Sequence, residues 1–418
     1  MRRLFFGGVH PHDKKDLSLQ NLNIISVDTE KVIIPLKQHI GVECCPIVKE
    51  GDYVLRGQKL GEESGLCVPV HSSVSGYVEK IDAENHAIII RNDKLEKTIE
   101  LEKYNEENLI DFIKEKGIVG MGGAAFPTYA KISSAIDKID TLIANGCECE
   151  PYITCDDLLL RTKALNVLKG IEILGNFLKA KRLVLAIESN KTEAIEHIES
   201  IQNEFPNIEI KVFPTRYPQG SEKQLIQAIT GREVPPMGLP ADVNCVVFNV
   251  TTLSTVYEAI EFGTPSIERI VTVSGEGVKN PGNYSVKVGT PVKDLIEAAG
   301  GLSEDANLVI NGGPMTGTTI EDLSTPITKA TNSILCLKDE KDIDFGKCIR
   351  CGKCLGVCPM RLQPLYLYRF ANVENFKKLE KLNLNDCIMC GACSYICPAK
   401  LPLTETFRKY KNKMKEVK

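Results

Sequence analysis

The sequence predicts a multidomain protein in which β units and an α/β unit follow one another along the chain. Three observations predict it. Residues 1–100 alternate apolar and polar positions between Gly, Asp and Pro turns, the pattern of half-buried strands. Residues 106–265 interleave short β-branched runs with stretches of helical periodicity, which implies a mostly parallel sheet flanked by helices. Residues 337–418 carry two copies of one cysteine pattern, the only internal repeat in the chain. A length of 418 residues accommodates about three domains.

In the first unit, strands are expected at KVIIPL, DYVLRGQKL, GYVEKI and HAIIIR. VKEGDYVLRGQKLGEE, followed by VPVHSSVSGYVEKI, resembles the barrel-sandwich hybrid of lipoyl and biotinyl domains. Those domains carry a modified lysine at a hairpin tip. The corresponding stretch here is SGLCVPV, without lysine, so the resemblance implies the fold and not a swinging cofactor. In the second unit NLIDFIKEKG, TKALNVLKGIEILGNFL, KTEAIEHIESIQNEF and SEKQLIQAITG read as helices, and TLIANG, RLVLAIE, EIKVFP and NCVVFNV as strands. Ligands in such folds sit at the carboxyl ends of the strands. The third unit, opening with RIVTVSGEGVKNPGNYSVKVGTPVKDLIEAAGGL, has two strands, a Pro-Gly turn, a short strand and one helix, which suggests a small β-grasp module. Between the cysteine runs, LQPLYLYRFANVENFKKLEKLNL reads as a helical insertion. The expected boundaries are 1–104, 105–265, 266–336 and 337–418.

Composition excludes several classes. The net charge of −4, from 51 basic and 55 acidic residues, leaves no electrostatic footprint for nucleic acid. The Lys-rich tail from Arg408 to Lys418 reads as a solvated helix end. Sixteen cysteines at these spacings indicate a reducing, cytoplasmic setting and not a disulfide scaffold. MRRLFFGGVHPHDKKD lacks the apolar core of a signal peptide. No apolar run approaches about 18 residues, so attachment to a membrane is expected only peripherally, through partner subunits.

The strongest chemistry lies in the repeat. Cys348, Cys351, Cys354 and Cys358 precede Pro359, and Cys387, Cys390, Cys393 and Cys397 precede Pro398. Each run reads C-x2-C-x2-C-x3-C-P, the spacing that wraps a 4Fe–4S cluster, with the fourth cysteine of each run ligating the other cluster. One cluster is then expected on Cys348, Cys351, Cys354 and Cys397, the other on Cys387, Cys390, Cys393 and Cys358. Zinc sites usually pair C-x2-C units and do not require the third and fourth positions.

Four loops outside the repeat are candidates for a second site. GIVGMGGAAFPTYAKI, residues 117–132, is rich in glycine ahead of a helix, which lets backbone N–H groups approach phosphate or a flavin ring; a plain Gly-rich turn is the alternative. NGCECEPYITCDD, residues 145–157, follows a strand. Glu148 and Glu150 read as site acids, Thr154, Asp156 and Asp157 as helix-capping residues. RYPQGSEKQLIQAITGRE opens a helix with a Gly-Ser-Glu turn, and FNVTTLSTVYEAI puts Asn249 and Thr252 at a strand end.

GMGGAAFPT, NGCECEP, GSEKQL and FNVTTL resemble, in the same order, the flavin and NADH loops of the flavoprotein subunit of respiratory complex I. With the N-terminal segment, the β-grasp module and the tail, the whole chain resembles the RnfC family of the Rnf electron-transport complex; GGVHPH, PLKQHIG, GREVPP, GLPAD, VKNPGN and INGGPM are further matching stretches. The resemblance implies a barrel-sandwich hybrid, a complex I flavoprotein-like α/β flavin domain, an SLBB β-grasp module and a two-cluster ferredoxin domain. It implies FMN, two 4Fe–4S clusters and NADH oxidation, with single electrons passed to a partner protein. Gly120, Gly122, Gly123, Phe126 and Thr128 would form the flavin loop, Glu148 and Glu150 would lie by flavin and NADH, and Glu222 and Asn249 would complete the pocket. The chain departs from the pattern at Ala125, usually glycine, and at Thr251, an acid in complex I. Relatives of RnfC also feed soluble reductases of anaerobic amino-acid fermentation, such as proline reductase, so the partner is either a set of membrane subunits or a soluble reductase. A third reading is a non-catalytic iron–sulfur relay with vestigial flavin loops.

Eight cysteines fall outside the repeat: Cys44, Cys45, Cys67, Cys147, Cys149, Cys155, Cys245 and Cys336. Small buried hydrophobes are the expected role, with redox or metal chemistry at adjacent Cys44 and Cys45 as the alternative. His10, His12, His39 and His71 have no second ligand at metal spacing, so structural or surface roles are expected.

Overall fold

The computed structural model describes residues 5–338 and 345–416; residues 1–4, 339–344 and 417–418 lie outside the described residues, and with them the lead into the cysteine-rich unit and the last two tail positions. In the first unit a four-stranded sheet runs in the order Lys31–Pro35, Ala87–Asn92, Gly76–Asp82, Tyr53–Val54. It faces a smaller sheet of Cys45–Pro46, Lys59–Glu62 and Val70–His71. Alternation places Val32, Ile34, Leu60, Val70, Ile88 and Ile90 in one sandwich core, the barrel-sandwich fold expected from the period-two pattern.

The α/β unit is a parallel sheet in the order Ile208–Phe213, Arg182–Glu188, Thr141–Gly146, Cys245–Asn249. Its central strands are apolar on both faces because helices cover both. The helix Cys155–Phe177 starts ahead of the expected TKALNVL stretch and is kinked at Lys163. Leu158, Leu159 and Leu160 are all buried, so this first part has no polar stripe and no helical period to read. The helix crosses Val250–Phe262 at close range. A Cβ at Gly170 would lie 2.2 Å from the Leu253 carbonyl oxygen, so only glycine fits.

The third unit is a six-stranded sheet carrying the helix Val292–Ala298. Its edge strand, Ile25–Ser26, pairs in parallel with Gly282–Lys287 and comes from the N-terminal segment, ahead of the sandwich. The cysteine-rich unit is built from short helices around Leu367, Leu379, Leu384 and Phe407. The stretch between the runs forms the helices Pro364–Ala371 and Phe376–Lys381, as its periodicity implies. The last helix, Leu403–Glu416, buries Phe407, Tyr410 and Met414. Its Lys411 corrects the reading of the tail as wholly solvated: the ammonium donates to the carbonyls of Asn385 (3.0 Å) and Cys387 (2.7 Å).

The N-terminal segment ties the units together. Gly8 N–H donates to the Val357 carbonyl, and Val9 pairs with Tyr217. The Arg216 guanidinium donates to the Phe5 and Gly7 carbonyls. No helix among the described residues is long and apolar enough to cross a membrane.

Candidate functional site

The eight repeat cysteines gather into two cavities. One is lined by Cys358, Cys387, Cys390 and Cys393. The other is lined by Cys348, Cys351, Cys354 and Cys397. The fourth cysteine of each run sits with the first three of the other, the crossed arrangement expected from the spacing. Eight thiols in two soft-ligand sets fit two iron–sulfur clusters. Left-handed glycines, Gly352 (φ 75°) and Gly391 (φ 78°), turn the chain inside each run.

The two sites differ in surroundings. The Cys390 carbonyl accepts a hydrogen bond from the Tyr217 hydroxyl at 2.6 Å, and Gly391 packs on the Met315 carbonyl. Gln224 donates to the Pro359 carbonyl at 3.4 Å. This inner site therefore leans on the α/β unit, through Tyr217 and Gln224, and on the third unit, through Met315. At the outer site Cys348 and Cys351 are exposed and Ile349 is 68 % exposed.

The Gly-rich loop is pinned as a closed turn. Val119 pairs with Pro127, and Gly120 N–H donates to the Phe126 carbonyl at 2.8 Å. Met121 N–H donates to the Thr252 hydroxyl at 2.9 Å, which fixes the loop to the helix Val250–Phe262. A Cβ at Gly122 would come within 2.9 Å of the Asn249 Cβ. Gly123, at φ 140°, has open space around it, and Phe126 is 37 % exposed. Thr128 is buried, and its hydroxyl has no partner. A glycine-rich loop of this kind, open at Gly123, lets backbone N–H groups approach and fits a flavin and its phosphate. Ala125 takes φ 49°, left-handed backbone that costs a non-glycine residue about 1 kcal/mol. Ala125→Gly is expected to stabilise the unit by about that amount, read as a raised midpoint of unfolding; an unchanged or lowered midpoint would refute the strain.

The acids after Thr141–Gly146 exchange the roles the sequence implies. Glu148, not Thr154, caps the helix Cys155–Phe177: its Oε1 accepts the Asp156 N–H at 2.8 Å. The Thr154 hydroxyl turns to Ser18 and Asn283 instead. Asp157 is no cap either; it pairs bidentately with Arg161 at 3.0 Å on both oxygens. Asp156 faces the end of the strand Cys245–Asn249, accepting from Asn249 Nδ2 and from the Thr251 hydroxyl, each at 2.7 Å. Asn249 in turn caps Val250–Phe262 through the Thr251 N–H. Glu150 points toward the third unit, where its carboxylate accepts from Met315 N–H and Thr316. Burial pushes the pKa of Glu150 upward against those bonds.

Thus Gly120, Gly122, Gly123, Phe126 and Asn249 line one cradle, with Asp156 beside it, while Glu148 stands behind it and Glu150 apart. Glu222 pairs with Lys131 at 2.7 Å. Sequence reasoning missed Lys131, three residues past Thr128; its ammonium also lies 5.7 Å from the Phe248 ring centroid. A lysine one turn into the helix that follows the Gly-rich loop was the available signal. Behind the cradle, Lys15 and Lys191 meet Glu148 and Glu188 at 3.6–4.0 Å, all buried.

Comparison with known proteins accords with this layout. Residues 3–103 match the RnfC barrel sandwich hybrid domain, 113–258 the Nuo51 FMN-binding domain, 270–319 the SLBB domain and 340–398 the 4Fe–4S dicluster domain. The chain is 40 % identical over 398 residues to the C subunit of the Na(+)-translocating ferredoxin:NAD(+) oxidoreductase complex of Acetobacterium woodii, covering 91 % of this chain and 90 % of that one. It is 39 % identical over 388 residues to the C subunit of the proton-translocating ferredoxin:NAD(+) oxidoreductase complex of Clostridium ljungdahlii, covering 88 % and 84 %. Identity is 41 % over 437 residues to the C subunit of the ion-translocating oxidoreductase complex of Haemophilus influenzae, where this chain is covered to 99 % but spans 65 % of its relative's length. Among solved structures, an air-oxidized NAD+-reducing [NiFe]-hydrogenase shares the fold at TM-score 0.51 and 20 % identity, over 73 % of this chain and 54 % of that one.

Proposed function

Because the chain belongs to the RnfC family, we propose that it oxidises NADH at an FMN held by the α/β unit and delivers single electrons to a partner protein. FMN, when bound, takes up hydride and releases electrons singly, and 4Fe–4S clusters accept them singly. The observation that carries the reading is the hydrogen bond from Tyr217, on a loop of the α/β unit, to the Cys390 carbonyl, because it fastens one four-cysteine site to the flavin-type domain. Cys358, Cys387, Cys390 and Cys393 then hold the inner cluster, and Cys348, Cys351, Cys354 and Cys397 the outer one, where a partner has access.

The chain's own groups bind and orient. Gly120, Gly122, Gly123, Phe126 and Thr128 form the flavin loop, with Asn249 and Asp156 at its edge. Lys131 and Glu222 supply charge at the cradle, Glu148 holds the start of the helix Cys155–Phe177, and Glu150 stands apart on Met315 and Thr316. No side chain is required to move a proton for hydride transfer. We place the protein in the cytoplasm, attached at the membrane face through partner subunits. A soluble reductase as partner predicts instead that the chain purifies free of membrane subunits.

Anaerobic titration of the reconstituted protein with NADH tests the reading. Bleaching of the flavin band and then of the broad iron–sulfur absorption is expected. Bleaching by dithionite alone would leave only the iron–sulfur relay. Gly122→Val, which drives a side chain into Asn249, is expected to weaken FMN retention about 10-fold or more, since a misplaced supporting group costs on that scale. Wild-type retention of FMN in equilibrium dialysis would remove this loop from the site.

A further inference from the structure

We propose that Cys44 and Cys67 form a reversible two-electron thiol–disulfide couple in the barrel-sandwich unit, a redox site separate from flavin and clusters. The adjacent cysteines do not pair with each other. Strand alternation sends Cys45 to the surface, where its thiol donates to Glu63 at 3.0 Å, and Cys44 inward, where its Sγ lies 3.3 Å from that of Cys67. Cys44 is 2 % and Cys67 0 % exposed, yet both sit one layer beneath surface chain. Val42, Cys45 and Ile47 on one side and Ser64 and Gly65 on the other are exposed, and the strand next to Cys44, Cys45–Pro46, is two exposed residues long. Short, solvent-facing ribbons of this kind open locally at low cost.

The surroundings distinguish this pair from inert core thiols. The buried Lys329 ammonium donates to the carbonyls of Pro69 (3.0 Å) and Gly117 (2.7 Å), and its charge acts on both thiols. Burial holds the Lys329 amine down at about 8, with Cys44 and Cys67 pulling the other way. Burial likewise pushes Cys44 up to about 12, so Cys44 rests as a thiol and reacts on local opening. His39 belongs to the same cluster, but its Nε2 already accepts the Val68 N–H at 2.9 Å. Next to it, Ile40 N–H donates to the Ala125 carbonyl of the Gly-rich loop, which ties the segment leading to Cys44 to that loop.

The co-reactant is a disulfide, R–S–S–R. Cys44 thiolate attacks it, forming Cys44–S–S–R and releasing one thiolate. Cys67 thiolate then attacks the Cys44 sulfur, closing Cys44–S–S–Cys67 and releasing the second. Two cysteine protons end on two R–SH, and one electron pair passes from the cysteines to the reagent.

The test equilibrates the cluster-loaded protein anaerobically in glutathione/glutathione-disulfide buffers, then quenches with acid, alkylates and maps thiols by mass spectrometry. A peptide holding Cys44 linked to one holding Cys67 is expected, rising from absent to dominant as the disulfide fraction rises. Because Cys44 and Cys45 share a peptide, Cys45→Ser must retain the link and Cys44→Ala must abolish it. Alkylation of both thiols at every buffer ratio would overturn the proposal, as would a link that disappears in Cys45→Ser. Stoichiometric zinc released only when Cys44 and Cys67 are modified would overturn it in favour of a metal site with His39.

Discussion

Replacing Cys358 by serine is expected to abolish the cluster on the second cysteine run while leaving the one on the first. Cys358 belongs to the first run by sequence but lines the cavity of Cys387, Cys390 and Cys393. Iron content should fall by about half, since each site holds one 4Fe–4S cluster, and the surviving magnetic-resonance signal should be that of the exposed outer site. Flavin bleaching by NADH should persist, because the Gly-rich loop is untouched, while reduction of an external one-electron acceptor should fall to background. Cys397→Ser gives the mirror result, removing the outer cluster and keeping the inner one reducible. If Cys358→Ser removed the cluster of its own run instead, the crossed ligand sets would be wrong.

The second large effect is on stability. Glu188 and Lys191 are fully buried, with oxygen and nitrogen 3.6 Å apart, and Glu148 lies 4.0 Å from the same ammonium. Glu188→Ala leaves Lys191 with one partner in place of two in a dry interior. Breaking a buried pair on one side costs roughly 3–5 kcal/mol, enough to unfold a marginal domain. The expected readout is a lower denaturation midpoint for the flavin-binding unit and loss of FMN, with the cluster absorption retained. The pH dependence follows in sign. Burial alone would lower the Lys191 pKa, but Glu188 and Glu148 outweigh it and hold it at about 12, against 10.5 for an ordinary lysine. A raised lysine pKa stabilises the fold fully below the unfolded value and loses that stabilisation as pH rises toward the folded one. In Glu188→Ala the alkaline limb of unfolding should therefore begin at lower pH. An unchanged alkaline limb would mean that the pair contributes nothing.

The series of units, the alternation of strands and helices and the two cluster sets were all legible in the order of residues, because each is written in local spacing. Period two and period 3.6 are properties of a few consecutive side chains, and C-x2-C-x2-C-x3-C-P is a geometric demand of one small cluster on one short loop. The Gly-rich loop was legible for the same reason, as a local run of glycines ahead of a helix. Partnerships between distant residues emerged only on folding. The pairing of Cys44 with Cys67 spans 23 positions, and the pairing of Tyr217 with Cys390 spans 173. The strand Ile25–Ser26 left its neighbours to close the sheet of the third unit, because an exposed edge there offered unpaired backbone groups. The acids show the limit most clearly. From spacing, Glu148 and Glu150 read as site residues and Asp156 as a cap. The folded loop instead turned Glu148 onto the helix N-terminus and Glu150 onto Thr316, and left Asp156 beside Asn249. A carboxylate's role depends on which orphan donors the fold brings to it, and that is fixed by packing between elements rather than by the order of residues within one loop.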